Sequence, residues 1–314
     1  MAEYTKKKKS KAKVEGVNGR LFKPQPVLIF NILLFTIVCL IPMILVIIVS
    51  FSSKSSLANN GFTFFPSEWS LEAYRFVLSK WDVLVKAYGV SLYEALFGTA
   101  LSMFLTTLFA YTLSRKEFIL KKFLTIFILI SMLFSGGAVS GFIINSNVYG
   151  LRNNLLVLIL PGCVSVFNAV VIRTFIQSNV PNELVEAARI DGAGETYIFF
   201  KIVLPLLVPV IAALGFMGAV GHWNEWETAM LYLDNQNFRT LQLVLNGIEE
   251  DIAQVRRLVD SGQADATTIE LSKNLPTDAC RMAFLLFTLG PVLVIYPFFQ
   301  KYFMSGLTVG AVKG

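Results

Sequence analysis

Few residues of this chain could do chemistry in apolar surroundings. His222 is the single histidine, and Glu94 and Glu225 are carboxylates within long apolar stretches. A Ser–His–acid triad would have to use that one histidine, and an H-E-x-x-H zinc site cannot form. The chain has no G-x-x-x-x-G-K-[ST] loop for ATP hydrolysis. We favour a hydrogen bond from His222 to a neighbouring helix over catalysis, since polar side chains commonly join apolar helices. The competing interpretation is that the chain is an intramembrane enzyme that uses Glu94, His222 or Glu225.

The composition predicts a membrane protein. Of 314 residues, 55% are hydrophobic and 15% charged, and the mean hydropathy is +0.63. A soluble domain carries about a quarter charged residues. Backbone polar groups in lipid must be bonded within their own segment, so apolar runs of about 20 residues predict membrane-spanning helices. The six predicted spans are Val27–Val49, Gly89–Leu113, Phe123–Ile143, Leu155–Ile172, Leu206–Met230 and Met282–Phe299.

Lysine and arginine predict the orientation of these spans. Residues 1–26 form a basic tail with six lysines among the first thirteen residues, which suits a membrane surface better than nucleic acid. The loop Arg115–Lys122 is dense in positive charge, whereas Asn145–Asn154 contains a single positively charged residue, Arg152. Loops rich in lysine and arginine lie on the cytoplasmic side of the membrane. With six spans, both termini are therefore predicted to be cytoplasmic. Trp223 and Trp226 then fall at the outer interface, which suits indole rings.

Two long segments are predicted on the outer side, at residues 51–88 and 233–281. Within the second, Ile248, Ile252, Val255 and Val259 recur at helical spacing in Asn246–Asp260. The pattern predicts an amphipathic surface helix. We favour a lid that packs on the helix bundle over a dock for an external partner.

The segment Arg173–Pro205, between the fourth and fifth spans, is predicted to be cytoplasmic and ordered. Asn179 or Asn182 can cap a short helix, and Pro181 is tolerated in its first turn. Gly192 and Gly194 then break that helix. We predict a helix–turn–helix on the inner membrane face, with its coupling part at about residues 179–200. The alternative is an ordinary interfacial hairpin between two spans.

This segment resembles a known motif. Glu186-Ala187-Ala188, three residues, Gly192, nine residues and Ile202-x-Leu204-Pro205 match the EAA motif of ABC-importer permeases at each defined position. Further stretches are similar to the carbohydrate-uptake, MalG-type branch, among them Ala110-Tyr111-Thr112-Leu113-Ser114-Arg115, Trp223-Asn224-Glu225-Trp226 and the C-terminal run Phe299–Gly314. Resemblance to that branch covers about residues 27–314.

The resemblance implies a fold, a function and partners. It implies an all-α transmembrane protein, a six-helix type I (MetI-like) permease domain at residues 27–304 with a cytoplasmic coupling helix. Such a chain is a multi-pass plasma-membrane subunit of an ATP-driven sugar importer, and not an enzyme. Implied partners are a homologous second permease, two ATP-binding subunits and an extracytoplasmic solute-binding protein. ATP and Mg would bind the ATPase, and this chain is expected to hold no cofactor and no metal. Oligosaccharides are the favoured substrate, and a glycerol-phosphate conjugate is the alternative.

Site residues follow from the motif and from the polar groups of the spans. The resemblance places ATPase coupling at Glu183, Glu186, Ala187, Ala188, Asp191 and Gly192. Glu186 would face the ATPase, the two alanines would permit close approach, and Gly192 would supply the turn. The tail 305–314 reads as a frayed end, but the resemblance implies that it reaches between the ATPase subunits, with contacts from Gly310 and Lys313.

Sugars are bound by hydrogen bonds and aromatic faces, which makes Glu94, Trp223, Asn224, Glu225, Trp226 and Tyr232 candidates for the translocation pathway. Intramembrane acids are costly and therefore functional candidates. The alternative is snorkelling at the interface or a bond between helices. For Glu94 we favour snorkelling or a bond between helices. For Glu225 we give equal weight to this structural role and to a functional one.

Overall fold

The computed structural model describes residues 26–263, 265 and 278–311, and its regular structure in these ranges is helical. The α-helices are α1 (Pro26–Ser50), α2 (Lys54–Asn60), α3 (Glu72–Ser79), α4 (Trp81–Tyr93), α5 (Thr99–Ser114), α6 (Lys121–Leu133), α7 (Gly137–Ile143), α8 (Val166–Asn179), α9 (Asn182–Ile190), α10 (Glu195–Tyr197), α11 (Leu204–Leu206), α12 (Val208–Trp223), α13 (Glu227–Tyr232), α14 (Leu241–Asp260) and α15 (Asp278–Ala311). π-Helical turns occupy Glu94–Gly98, Ile144–Val148 and Ile198–Val203, and 3-10 turns occupy Leu155–Leu158 and Gln236–Phe238. One isolated antiparallel bridge joins Ser52 to Trp69.

Three helices in these ranges are long and apolar enough to cross a membrane. They are α1, the continuous helix Trp81–Ser114, and Asp278–Gln300 within α15. Two bent pairs would raise the number to five: Lys121–Leu133 with Gly137–Val148 at 115°, and Glu195–Leu206 with Val208–Trp223 at 77°. The all-helical fold class predicted from the sequence is confirmed. The prediction of unbroken helices is wrong for the third, fourth and fifth spans.

The fourth predicted span, Leu155–Ile172, is not one helix. It begins with the 3-10 turn Leu155–Leu158, continues as a loop, and becomes helical only at Val166. Pro161 lacks an N–H for a helical hydrogen bond, and the Ser165 hydroxyl caps the new helix by accepting from Asn168 N at 3.3 Å. The resulting α8 has 14 residues, about 21 Å of helix, which is shorter than the hydrocarbon layer.

The third predicted span breaks at its centre. Phe134 leaves α6 with extended backbone angles, and Gly137 opens α7 with φ +79°. A residue with a Cβ is disfavoured at that angle, so the glycine permits the sharp turn. The apolar run therefore did not predict the path of the chain.

Most of α1 is exposed and apolar, and it packs on the bundle mainly through α15. An exposed apolar surface of this length suits contact with lipid tails. Two of the buried apolar clusters lie at opposite ends of the continuous helix Trp81–Ser114. One contains Leu84 and Trp223, and the other contains Tyr111 and the buried face of α9. Leu84 and Tyr111 are about 40 Å apart at 1.5 Å per residue.

Two aromatic side chains bond to the proline-containing stretch of α15. Pro291 has no N–H, so the Phe287 carbonyl one turn earlier lacks its helical donor. The Tyr88 hydroxyl donates to that carbonyl. Trp223 Nε1 donates to the next carbonyl, of Thr288, at 3.0 Å. Neighbouring helices commonly satisfy backbone groups freed by proline in membrane proteins.

Trp223 therefore corrects a prediction. Its indole is 5% exposed and packs against the Tyr88 ring at 5.8 Å between centroids, so it does not face lipid at an outer interface. Trp226 is half-buried. Burial of Trp223 has a physical reason, because its N–H finds a carbonyl acceptor within the bundle.

Replacing Trp223 with Phe should lower the free energy of unfolding by about 1 kcal/mol, because a buried hydrogen bond to the Thr288 carbonyl is lost. Thermal unfolding in detergent measures the effect. Trp81→Phe is the matched control, since Trp81 is 55% exposed. Equal shifts in the two variants would contradict a specific role for the Trp223 N–H.

The predicted amphipathic helix lies within α14, which begins at Leu241 with the Thr240 hydroxyl as its cap. Leu241 and Leu245 are buried against α4 and α15, and Ile248 packs on the same cluster. Glu249 on α14 and Arg281 on α15 form an ion pair at 3.4 Å. This end of α14 covers the bundle as the lid interpretation expects. Residues 264 and 266–277 of the predicted outer segment lie outside the described residues, as does the basic tail 1–25.

The C-terminal boundary differs from the predicted frayed end. Helix α15 continues to Ala311, so Gly310 is within a helix, and Lys313 lies outside the described residues.

Candidate coupling site and polar groups of the spans

The predicted coupling helix is α9, which is amphipathic and lies against the end of the bundle. Val185 and Ala188 are buried among side chains of α5, α8 and the π-turn Ile198–Val203. The remaining surface of the helix is open, and Ile190 is 86% exposed. The exposed predicted site residues are Glu183, Glu186, Ala187, Asp191 and Gly192.

Ala188 corrects one assignment. Its side chain faces the protein's own core, with 9% exposed, so it cannot offer a close approach to another surface. The small side chain instead lets α9 sit close to the bundle. Ala187 keeps its predicted position on the open face.

The predicted capping of α9 is also wrong. Pro181 occupies the N-cap position, without a capping side chain, and Asn182 is the first helical residue. The Asn179 amide donates to the Phe175 carbonyl of its own helix at 3.1 Å. Proline fixes φ near the helical value, and this is sufficient to start so short a helix when its inner face is buried.

Gly192 ends α9 as predicted. Its φ is +83°, a left-handed angle that disfavours a side chain. The turn is closed by two backbone hydrogen bonds, from Gly192 N to Arg189 O at 3.0 Å and from Ala193 N to Ala188 O at 2.9 Å. At position 194 the backbone φ is −73°, an angle that any residue can adopt, so the turn does not require glycine there.

Arg189, which the sequence analysis did not select, anchors α9 to two other parts of the chain. Its guanidinium donates to Glu195 Oε1 at 2.6 and 2.9 Å, across the Gly192 turn. It also donates to Glu117 at 3.0 and 3.4 Å, in the loop between α5 and α6. A planar guanidinium can hold two carboxylates in a fixed geometry.

The same group of charges continues into the bundle. The Tyr111 hydroxyl on α5 donates to Glu195 Oε2 at 2.6 Å, and the Arg115 guanidinium carbon lies 4.2 Å from the centre of the Tyr111 ring. We call Tyr111, Arg115, Glu117, Arg189 and Glu195 the charged clamp. A displacement of α9 must therefore move the end of α5 and the helix α10 that leads into the fifth predicted span, or break these bonds.

Glu117 should make the clamp sensitive to acid. Hydrogen bonds from Arg189 lower the pKa of Glu117 from 4.5 to about 2. A folded-state pKa below the unfolded one means stability that is present above about pH 4.5 and lost as the pH falls through about 2. The melting-temperature difference between wild type and Glu117→Gln should therefore be constant near neutral pH and shrink in that acidic range.

Glu186→Gln, on the open face of α9, is the control for the Glu117 measurement. A difference for Glu117→Gln that persists unchanged to pH 2 would contradict the ion pair.

Glu94 and His222 meet between the second and fifth spans. Glu94 is 1% exposed at the start of a π-helical turn, and its Oε1 is 3.5 Å from His222 Nδ1. Neither Glu94 oxygen has a hydrogen-bond partner among the described residues. The imidazole lies close over Gly98, where an added Cβ would come within 2.9 Å of Cε1. Because Glu94 is buried, its side chain does not snorkel to the membrane interface. Of the two structural roles considered for Glu94, the contact between helices remains.

The other polar candidates make local structural bonds. Glu225 Oε1 accepts from Thr228 N at 2.8 Å, at the start of α13. Asn224 Oδ1 accepts from Gln242 Nε2 on α14 at 3.0 Å, and the buried Tyr232 hydroxyl accepts from Asn145 Nδ2 at 3.1 Å. These contacts do not gather the candidates around one cavity.

A recess at the α14 end is formed by residues that the sequence analysis did not select. It has a volume of about 780 Å3 between α4, α14 and the turn Gln236–Phe238. Lys80, Lys86 and Arg239 line it together with three acidic residues, Asp82, Glu250 and Asp251. Lys86 Nζ donates to Asn237 Oδ1 at 3.0 Å. No local sequence signal marked this recess, because its residues come from separate parts of the chain.

Comparison with known proteins adds evidence of kinship. The profile of the family "Binding-protein-dependent transport system inner membrane component" matches residues 98–309. The polygalacturonan/rhamnogalacturonan transport system permease protein YtcP of Bacillus subtilis (strain 168) is 38% identical over 95% of this chain and 100% of its own length. Protein LplC of the same organism is 34% identical, over 88% of this chain and 90% of its own.

A solved structure shares the fold. A chain of a bacterial ABC transporter involved in the import of the acidic polysaccharide alginate superposes with a TM-score of 0.74 and 25% identity. The match covers 89% of this chain and 97% of that one.

Proposed function

The chain belongs to the family of binding-protein-dependent transport system inner membrane components, and on that premise we propose that it is the permease subunit of an importer for oligosaccharides. It is a multi-pass membrane protein of type I ABC importer fold and a transport subunit, not an enzyme. The intramembrane-enzyme alternative is thereby set aside.

One observation carries the coupling role. Helix α9 presents Glu183, Glu186 and Ala187 to the outside of the molecule, while Arg189 joins the helix to the α5–α6 loop and to α10, which leads into the fifth predicted span. A partner that binds the open face and changes shape can therefore displace those segments. ATP shifts such an equilibrium only if it favours one conformation of the complex over the other.

An ABC importer permease works with a partner permease, an ATPase and a solute-binding protein. We assign to this chain a homologous second permease, two ATP-binding subunits at α9 and an extracytoplasmic binding protein at the opposite end. ATP and Mg would bind on the ATPase subunits. Both termini would be cytoplasmic, as the density of positive charge in Arg115–Lys122 supports.

Two relatives bear on the substrate class. YtcP is named for polygalacturonan and rhamnogalacturonan, and the transporter of known structure is described as importing alginate. Both names denote acidic saccharides, so we propose an oligosaccharide containing uronic acid residues. A glycerol-phosphate conjugate is the competing solute.

Uptake into proteoliposomes tests this function. The full chain is reconstituted with its second permease, ATPase and binding protein, and labelled oligogalacturonate, a neutral galacto-oligosaccharide and a glycerophosphodiester are supplied in turn. We expect ATP-dependent uptake of the oligogalacturonate. Uptake of the glycerophosphodiester alone would overturn the sugar assignment, and uptake of the neutral sugar alone would overturn the acidic one.

A further inference from the structure

A cationic recess lies beside the loop that anchors α9. It has a volume of about 470 Å3 and is formed where the start of α6 meets α8. Three of its lining residues are cations, Lys121, Lys122 and Arg173, and none is acidic. The site is separate from the charged clamp, although Glu117 of the clamp is in the same loop.

These cations are not neutralised by the part of the chain that the structure describes. Within residues 26–263 and 278–311, neither lysine nor Arg173 forms an ion pair. Arg173 donates one long hydrogen bond, from Nη1 to Thr125 Oγ1 at 3.5 Å, and its buried Nε has no partner. The Arg173 guanidinium lines the recess and carries further N–H donors, so it can bind an anion there.

The backbone adds positive potential at the same point. Helix α6 begins at Lys121 with Leu120 at the N-cap position, and it has neither a capping side chain nor an acidic residue in its first turn. The N-terminal end of a helix carries a partial positive charge and unsatisfied N–H groups. Together with the three side chains, it favours an anion with several acceptor oxygens.

The other wall of the recess is apolar and open. Ile119 is 94% exposed, and Phe123, Ile126 and Phe127 continue an exposed apolar stripe along α6. The charges therefore lie at the point where a membrane-embedded helix meets its polar loop, which is the depth of lipid headgroups.

We propose that this recess binds the phosphate of an anionic phospholipid headgroup, with the acyl chains lying along the exposed side of α6. Basic pockets between membrane helices at this depth suit such headgroups. A soluble phosphate ester shares the headgroup chemistry but would leave the apolar stripe unused. The recess thereby gives the α9 end of the protein a fixed lipid contact, in addition to any role in transport.

Native mass spectrometry of the full chain in detergent tests the proposal. The chain is titrated with phosphatidylglycerol or phosphatidylcholine, and retained lipid is counted. The variant is Lys121→Gln with Lys122→Gln, and the matched control is Lys116→Gln with Lys201→Gln, which removes the same charge from exposed residues outside the recess. We expect affinity for phosphatidylglycerol to fall roughly 30-fold in the variant. The control should keep wild-type affinity.

Glycerol phosphate is then added as a competitor at equal concentration. We expect no displacement of phosphatidylglycerol, because the acyl chains contribute to binding. Equal retention of the two lipids by wild type, equal loss in variant and control, or displacement by glycerol phosphate would each overturn the lipid assignment. Arg173→Lys keeps the charge but not the fork of donors, and a folded Arg173→Lys protein with reduced retention would support the site.

Discussion

Gly192→Val is expected to reduce ATP-dependent uptake roughly tenfold or more while the chain still reaches the membrane. A left-handed backbone angle costs an L-residue about 1–2 kcal/mol, and β-branched side chains tolerate it least. Gly192 has φ +83°, and no atom lies within 4 Å of an added Cβ, so the strain comes from the backbone angle and not from crowding of the Cβ. This strain destabilises the turn that positions α9. Each 1.4 kcal/mol lowers the population of the correctly turned conformation tenfold. The assay is uptake in proteoliposomes, with membrane-inserted protein measured in parallel.

Two variants serve as controls for Gly192→Val. Gly194→Ala lies in the same turn with φ −73° and with space around an added Cβ, so its uptake should match wild type. Gly192→Asn should retain most activity, because asparagine accepts the left-handed region more readily. Equal losses in Gly192→Val and Gly194→Ala would contradict the role of the left-handed turn.

Arg189→Glu is expected to uncouple the permease. The substitution places a third carboxylate between Glu117 and Glu195, so the bonds that join α9 to the α5–α6 loop become repulsions. Coupling free energies between sites are typically 1–3 kcal/mol, so the expected loss of uptake per ATP hydrolysed is about 5–150-fold. The measurement compares ATP hydrolysis and uptake in the same proteoliposomes.

Arg152→Glu is the matched control for Arg189→Glu. Arg152 pairs with Asp234 at 3.1 Å, and both side chains are mostly exposed, in segments predicted to lie on the outer side. Exposed pairs contribute little, so coupling should be unchanged. The clamp hypothesis fails if Arg189→Glu keeps the wild-type ratio of uptake to ATP hydrolysis.

The helical class of the fold could be predicted from apolar run length, but the path of the chain could not. A run of 20 apolar residues is stable in lipid whether it is straight or bent, provided that its backbone N–H and C=O groups are hydrogen-bonded. The breaks at Pro161 and Gly137 have local causes, a missing N–H and a left-handed backbone angle, which the length of an apolar run does not reveal. Trp223 was misplaced for a different reason, because its acceptor on Thr288 is 65 residues away.

Helix α9 and the turn that ends it were predictable because their determinants are local. Glu186-Ala187-Ala188 and Gly192 lie within one turn and its helix, and the structure gives that helix and that turn. Arg189 was missed although Glu195, six residues later, was a visible partner across the glycine. Its second partner, Glu117, is 72 residues away, and no periodicity relates the two.

Photo-cross-linking from α9 tests whether this helix binds an ATP-binding subunit. A benzoylphenylalanine replaces Ala187 on the open face, and a second sample carries it in place of Phe65, which is 91% exposed in the segment predicted to lie outside. We expect irradiation of the assembled transporter to join position 187 to an ATP-binding subunit and position 65 to none. Capture of that subunit from position 65 but never from position 187 would contradict this expectation.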